Sequence, residues 1–250
     1  MKYLLDIPMV FPGGVERRFD LFVPDGDPSS IPLLIWVHGG AWSGGETRIG
    51  NEFERFMFRG CAVLSIDYRY IQEAPYPAQL IDCKFAVRWA RAHAEEYGYN
   101  GNRILVGGNS AGGHLVSMLA VTNGMQEYDQ GDYRDYASDV QAVVDFYGPV
   151  DLRRGQLPEL DALFPVMFQG DAALAEAASP LLRITGKEPP FLILHGDADP
   201  TVPVEQSRRF HQALLDAGVS SRYVEVPGGV HGFDCLEVYT ALNEFITDNT

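Results

Sequence analysis

The stretch Ile104-Leu105-Val106-Gly107-Gly108-Asn109-Ser110-Ala111-Gly112-Gly113-His114-Leu115 decides how the chain folds. An apolar run enters a glycine-rich turn, and a helical pattern leaves it from Gly113 to Val121. Ile104 to Gln126 is the longest segment without Asp, Glu, Lys or Arg, and it is long enough to raise the question of a membrane span. It also carries five glycines with Asn109, Ser110, His114, Ser117, Thr122 and Asn123, a polar load that hydrocarbon does not accept without partners. The reading is therefore a buried strand, a sharp turn and a buried helix at the centre of a soluble fold. In Gly108-x-Ser110-x-Gly112 the turn holds the serine in a strained pose that needs small neighbours and exposes its hydroxyl at the sheet edge. The helix N-terminus then favours developing negative charge there. A dinucleotide loop fails, because Asn109 stands where the middle glycine is needed.

Working outward, Ile31–Val37, Cys61–Ile66, Val140–Phe146 and Phe191–Leu194 are nearly continuous apolar runs. Runs of that length bounded by Gly, Pro or Asp suit parallel strands covered on both faces. Glu16–Val23 alternates and reads as an exposed early strand, and Arg222–Val226 as an edge-type strand before Pro227. Helical patterns start at Pro77, with Leu80, Cys83, Val87 and Ala90 on one face, and recur over Glu205–Ala217 and Cys235–Ile246. Strands alternating with helices predict one α/β domain over 1–250 with a mostly parallel, doubly wound sheet. Residues 121–139 and 151–190 depart from the alternation and are expected to form lid or cap segments.

Composition narrows the partners. With 19 Lys and Arg against 34 Asp and Glu, the formal charge is −15. Neutralising phosphates takes clustered cations, so neither nucleic acid nor an anionic membrane is an expected partner. Cys61, Cys83 and Cys235 cannot all pair and read as buried thiols of a reducing compartment. The opening Met1-Lys2-Tyr3-Leu4-Leu5-Asp6 reaches an acid too soon for a signal peptide, so a cytoplasmic location is expected.

A nucleophilic serine on this turn needs a base, and the base needs a carboxylate, in the chain order Ser, Asp or Glu, His. Six histidines are available. His38 and His93 precede Ser110, His114 rides on its helix, His195 precedes the acid, and His211 lies inside an amphipathic helix. That leaves His231, in Gly228-Gly229-Val230-His231-Gly232. The carboxylate belongs just after Phe191–Leu194. There Asp199 is favoured because Pro200 and Pro203 fix its loop, whereas Asp197 can serve as a turn residue. A metal reading of His195, Asp197 and Asp199 has no recognised ligand spacing behind it. Upstream, His38-Gly39-Gly40-Ala41-Trp42 follows an apolar strand, and its glycines let backbone N–H groups turn inward toward an oxyanion beside that of Ala111.

Taken together, His38–Trp42, Asp67-Tyr68-Arg69, Gly108–Gly112, His195–Pro203 and His231-Gly232-Phe233 resemble the α/β-hydrolase superfamily. More narrowly, the chain is similar to small esterases of the hormone-sensitive-lipase group, bacterial feruloyl and acetyl-xylan esterases, and kynurenine formamidase. The resemblance implies a mostly parallel eight-stranded sheet with helices on both faces and a small lid after the sixth strand. It makes Ser110 the nucleophile, Asp199 the acid and His231 the base. The oxyanion residues would be Gly39, Gly40, Ala41 and Ala111, with Gly39 permitting the close approach and the other three donating N–H groups. Asp67, Tyr68, Arg69 and Asp82 would be structural, and no metal or organic cofactor is implied. Ala41 stands where lipase-type relatives place a third glycine, and the Ala41-Trp42 pair matches formamidase-like and feruloyl-esterase-like relatives. With only a short stretch ahead of His38, the N-terminal cap of many lipase-type relatives is not expected.

The expectation is a serine carboxylesterase acting on small-molecule esters, with feruloyl or acetyl esters from plant polysaccharide as candidates. An arylformamidase and a non-catalytic small-ligand binder on the same fold are the alternatives. Residues 121–190 hold 12 acids and 5 bases, so a pocket rimmed by them should favour neutral esters.

Overall fold

Leu33, Ile35 and Val37 point into one apolar cluster while Leu34 and Trp36, between them, point into another, so this strand has a core on each face. The computed structural model describes residues 1–45 and 60–250. Its eight strands are β1 (Lys2–Val10), β2 (Glu16–Val23), β3 (Pro32–Val37), β4 (Ala62–Ile66), β5 (Asn100–Asn109), β6 (Ala142–Phe146), β7 (Phe191–Gly196) and β8 (Ser221–Val226). They pair in the order β1-β2-β4-β3-β5-β6-β7-β8. The β1/β2 and β2/β4 pairs are antiparallel and every other pair is parallel. Helices cover both faces. α1 (Ala78–Ala92), α3 (Ala111–Val121) and α6 (Glu205–Asp216) bury Leu80, Leu115 and Phe210 in one cluster. α7 (Leu236–Asp248) closes the other with Val238, Leu242 and Phe245. The short α2 (Ala94–Tyr97) ends at Gly98 in the left-handed region. Among the described residues no helix is long and apolar enough to cross a membrane.

The strand β1 escapes the sequence reading for a visible reason. Tyr3 and Leu5 face solvent, Asp6 has φ 58°, and the register with β2 shifts between Leu4 and Ile7, so no regular alternation survives. Its presence alters β2, expected as an exposed strand. Sandwiched between β1 and β4, β2 buries Phe19, Leu21 and Val23. Two thiols are buried as expected, but Cys235 is only half-buried at the start of α7.

Of the two irregular segments, 121–139 gives its first residue, Val121, to the end of α3 and continues from there, about 15 Å of helix away from Ser110. They are fastened to α1, where Arg88 donates to Asp129 at 2.8 Å and Arg91 to the Asp139 carbonyl at 2.6 Å. The second segment leaves the end of β6, the sheet edge that carries Ser110. It contains α4 (Phe164–Phe168) and α5 (Ala172–Ala177) with short 3-10 turns at Pro158–Leu163 and Pro180–Leu182.

Candidate active site

Ser110 sits between β5 and α3 with φ 54° and ψ −119°, a conformation that costs a non-glycine residue roughly 1–3 kcal/mol. The turn can be this tight because its flanks lack side chains. A Cβ on Gly112 would lie 1.9 Å from the Val37 carbonyl oxygen, and one on Gly108 2.5 Å from the Gly112 backbone. The Ser110 N–H donates to the Phe146 carbonyl at 2.9 Å, and its own carbonyl accepts from His114 N–H at 3.0 Å.

Facing it, His231 Nε2 lies 2.9 Å from Ser110 Oγ and His231 Nδ1 lies 2.7 Å from Asp199 Oδ2. An ionised carboxylate only accepts, so Nδ1 carries the proton and Nε2 is left to accept from the Ser110 hydroxyl. Three turns after three different strands, β5, β7 and β8, thus meet at one point. The other histidines are engaged elsewhere. His38 stacks on Tyr68 at 4.6 Å and contacts Asp67 at 3.1 Å, His93 bonds the Trp89 carbonyl, and His211 bonds Ser221.

The Asp199 carboxylate has no exposed surface. Burial alone pushes its pKa up. Hydrogen bonds from His195, His231 and the N–H groups of Val202 and Thr201 outweigh that and hold it well below the usual carboxylate range. Oδ1 takes Thr201 N–H at 2.8 Å and Val202 N–H at 3.0 Å, which ties the side chain to its own loop. Asp197 acts as a turn residue, with Oδ1 accepting from Gly228 N–H at 2.6 Å. Asp197 thus stands apart from the His195–Asp199 pair, and among the described residues no cluster of three His, Cys, Asp or Glu side chains has the arrangement of a metal site.

The nominated oxyanion residues divide. Gly39 donates its N–H to Asn109 Oδ1 at 2.9 Å, so that group is already taken and Gly39 is no donor. Its missing side chain still matters, because a Cβ there would lie 3.2 Å from Ser110 Cβ. Gly40, Ala41 and Trp42 follow with φ of 114°, 52° and 55°. Among the described residues nothing accepts from the N–H of Gly40, Ala41 or Ala111. Ala111 is the first residue of α3, where N–H groups have no partner inside the helix. The other motif residues support this framework. Arg69 and Asp82 form a forked ion pair at 2.7–3.1 Å, and Tyr68 donates to the His38 carbonyl at 3.1 Å.

Two contributors have no signal in the sequence. Tyr147, just past β6 with φ 45°, lays its ring 4.6 Å from His231 and 5.4 Å from Phe233. Asn109 sets the start of the Gly39–Trp42 loop. Beside that loop lies a small apolar cavity of about 20 Å³, walled by Trp42 and by Leu152, Leu157, Phe164, Met167 and Phe168 of the segment after β6.

The BD-FAE family model matches residues 19–214, which contain Ser110, Asp199 and the whole Gly39–Trp42 loop. The chain belongs to the BD-FAE family. Its strand order and two-sided helical cover are those of the α/β-hydrolase fold, as the resemblance implied. It is 37% identical over 217 residues to "Esterase LipC" of Mycobacterium tuberculosis, covering 82% of this chain and 54% of that protein. It is 35% identical to the "Probable carboxylic ester hydrolase LipM" of the same organism, covering 89% and 53%. The chain thus spans about half the length of the curated relatives it matches. Among solved structures, a "Truncated form of carbohydrate esterase from gut microbiota" superposes with a TM-score of 0.82 at 29% identity, over 93% of this chain and 90% of that one. The butyrate-bound esterase Est2 of Thermogutta terrifontis gives 0.79 at 26% identity, over 97% and 92%.

Proposed function

We propose that this chain is a serine carboxylesterase acting through an acyl-enzyme. The observation that carries the reading is the unbroken line Ser110 Oγ–His231 Nε2 at 2.9 Å and His231 Nδ1–Asp199 Oδ2 at 2.7 Å, built on a strained turn. His231 Nε2 takes the hydroxyl proton as Ser110 Oγ bonds to the ester carbonyl carbon. The charge that develops on the carbonyl oxygen is met by the N–H groups of Gly40, Ala41 and Ala111. His231 then returns its proton to the leaving alkoxide oxygen as the carbon–oxygen bond breaks. Water, deprotonated by the same imidazole, attacks the acyl carbon, and His231 returns that proton to Ser110 Oγ as the acyl–Oγ bond breaks and the carboxylic acid leaves. Asp199 stays ionised throughout and holds the imidazole in the tautomer that both steps need.

The surroundings and the relatives support a substrate class. Were the acyl group to enter the cavity of about 20 Å³ beside Trp42, only a short one such as acetyl would fit. The carbohydrate esterase among the structural neighbours supports a saccharide ester as the substrate. In this reading residues 1–250 act as one domain, with 151–190 its cap.

A fluorophosphonate probe followed by peptide mapping tests the reading. Labelling of Ser110 that is abolished in Ser110→Ala, together with loss of acetyl-ester hydrolysis, is the expected result. A wild-type protein that neither labels nor turns over would make this fold a ligand binder instead.

A further inference from the structure

His114 is fully buried on α3 and lies between the Trp42 loop and the segment after β6. On one side the indole N–H of Trp42 reaches its Nδ1 at 3.1 Å, with the two rings edge-to-face at 5.2 Å. On the other, its Nε2 lies 2.7 Å from the carbonyl of Ala178, in the segment after β6. An indole N–H can only donate and a carbonyl can only accept. The imidazole between them must therefore be neutral, with its proton on Nε2. Burial keeps it so, lowering its pKa to about 4. Its backbone N–H meanwhile holds the Ser110 carbonyl at 3.0 Å.

What this clamp restrains is a loop under strain. Ala41 and Trp42 both carry side chains at φ above 50°, each at a cost of roughly 1–3 kcal/mol. Backbone bonds from Ile71 N–H to the Trp42 carbonyl at 2.9 Å and from Ser43 N–H to the Gly40 carbonyl at 3.0 Å hold the main chain. Among the described residues the indole alone fixes the Trp42 side chain by a hydrogen bond, and through the Cα–Cβ direction it fixes the peptide between Ala41 and Trp42, which Ala41 Cα joins to the preceding peptide that bears the Ala41 N–H.

We propose that His114 is a positioning residue that aims the backbone N–H of Ala41 at the substrate oxyanion by holding the Trp42 indole, and that it ties this aim to the segment at Ala178. The proposal rests on the serine-esterase reading and goes beyond it, because His114 touches neither substrate nor the reacting atoms. A misaimed donor weakens the transition state more than the bound ester.

The test compares His114→Phe, His114→Gln and Trp42→Phe with wild type on a neutral aryl acetate, alongside the Ki of a trifluoromethyl ketone that forms a tetrahedral adduct. With His114→Phe, kcat is expected to fall about ten- to hundredfold with KM within about twofold, and Ki to rise by the same factor as kcat falls. Gln offers an acceptor and a donor on one amide and is expected to restore most of the rate. Trp42→Phe keeps the ring but loses the N–H, so it should lower kcat in the same way, and combining it with His114→Phe should add little. Trp42→Phe also serves as the deciding arm if His114→Phe does not fold. Unchanged kcat in Trp42→Phe, additive losses in the double variant, or a fall in kcat with an unmoved Ki would overturn the proposal. Wild-type protein inactive on the same ester and unlabelled at Ser110 would instead overturn the esterase reading beneath it.

Discussion

His195 Nε2 lies 3.2 Å from Asp199 Oδ2, four residues along the chain, and neither side chain has exposed surface. The same Nε2 is 2.9 Å from the Val202 carbonyl, while Nδ1 is 2.7 Å from Ser207 Oγ. Asp199 is therefore held from behind by one imidazole while it holds another in front.

Replacing His195 with Phe removes one of the bonds that lower the Asp199 pKa. Because that pKa is depressed in the folded chain, its contribution to stability is present above the ordinary carboxylate value and is lost as pH falls through the folded one. In His195→Phe the folded value rises toward the ordinary one. The acid-unfolding midpoint is then expected to move to higher pH, with about 1–3 kcal/mol lost at pH 7 from the unpaired Ser207 and Val202 groups. Circular dichroism titrations of the two proteins check this.

Asp145 supplies the opposite sign. It is fully buried on β6, accepting from Gly148 N–H at 2.8 Å and Ser117 Oγ at 3.1 Å, and burial raises its pKa to about 6. A raised carboxyl favours folding below the unfolded value near 4, and that advantage is lost as pH rises through about 6. Asn can keep both contacts without the charge. Asp145→Asn is expected to gain stability relative to wild type between pH 4 and 7, read as a difference in Tm that grows over that window.

Gly112→Ala places a methyl carbon 1.9 Å from a backbone oxygen of β3, where no flexible side chain can yield. Loss of more than about 3 kcal/mol and no detectable esterase activity is the expected outcome. Urea unfolding of the soluble fraction measures it.

Met167 is buried against the cavity beside Trp42. Met167→Ala should cost about 2–5 kcal/mol and enlarge that space. If the cavity receives the acyl group, a p-nitrophenyl ester series should shift its optimum from acetyl toward butyryl or longer. An unshifted profile would place the acyl group elsewhere.

Residues 121–190 carry 12 acids and 5 bases. If part of that charge rims the site, neutral esters outrun carboxylate-bearing esters of equal size, and raising salt narrows the gap through screening. A gap indifferent to salt would assign the charge to solubility alone.

The parts of the site that could be read from sequence are those whose conformation is local. Glycines flank Ser110 because the turn admits nothing larger. Prolines stiffen the Asp199 loop and glycines frame His231, so each motif announces its own backbone. The apolar runs of β3, β4, β6 and β7 likewise follow from burial on both faces. The remainder depended on which distant groups meet. Nothing near Gly39 in the chain says that Asn109 takes its N–H, and nothing near Tyr147 says that its ring walls His231. His195 and His114 were set aside as bases by chain order, and only packing turned one toward Asp199 and the other toward Trp42. Strand β1 stayed hidden because its pattern is broken where its register shifts. Steric rules act over a few residues and leave a mark in sequence, whereas a buried donor takes whichever acceptor the folded chain brings within 3 Å, and that choice exists only once the sheet has formed.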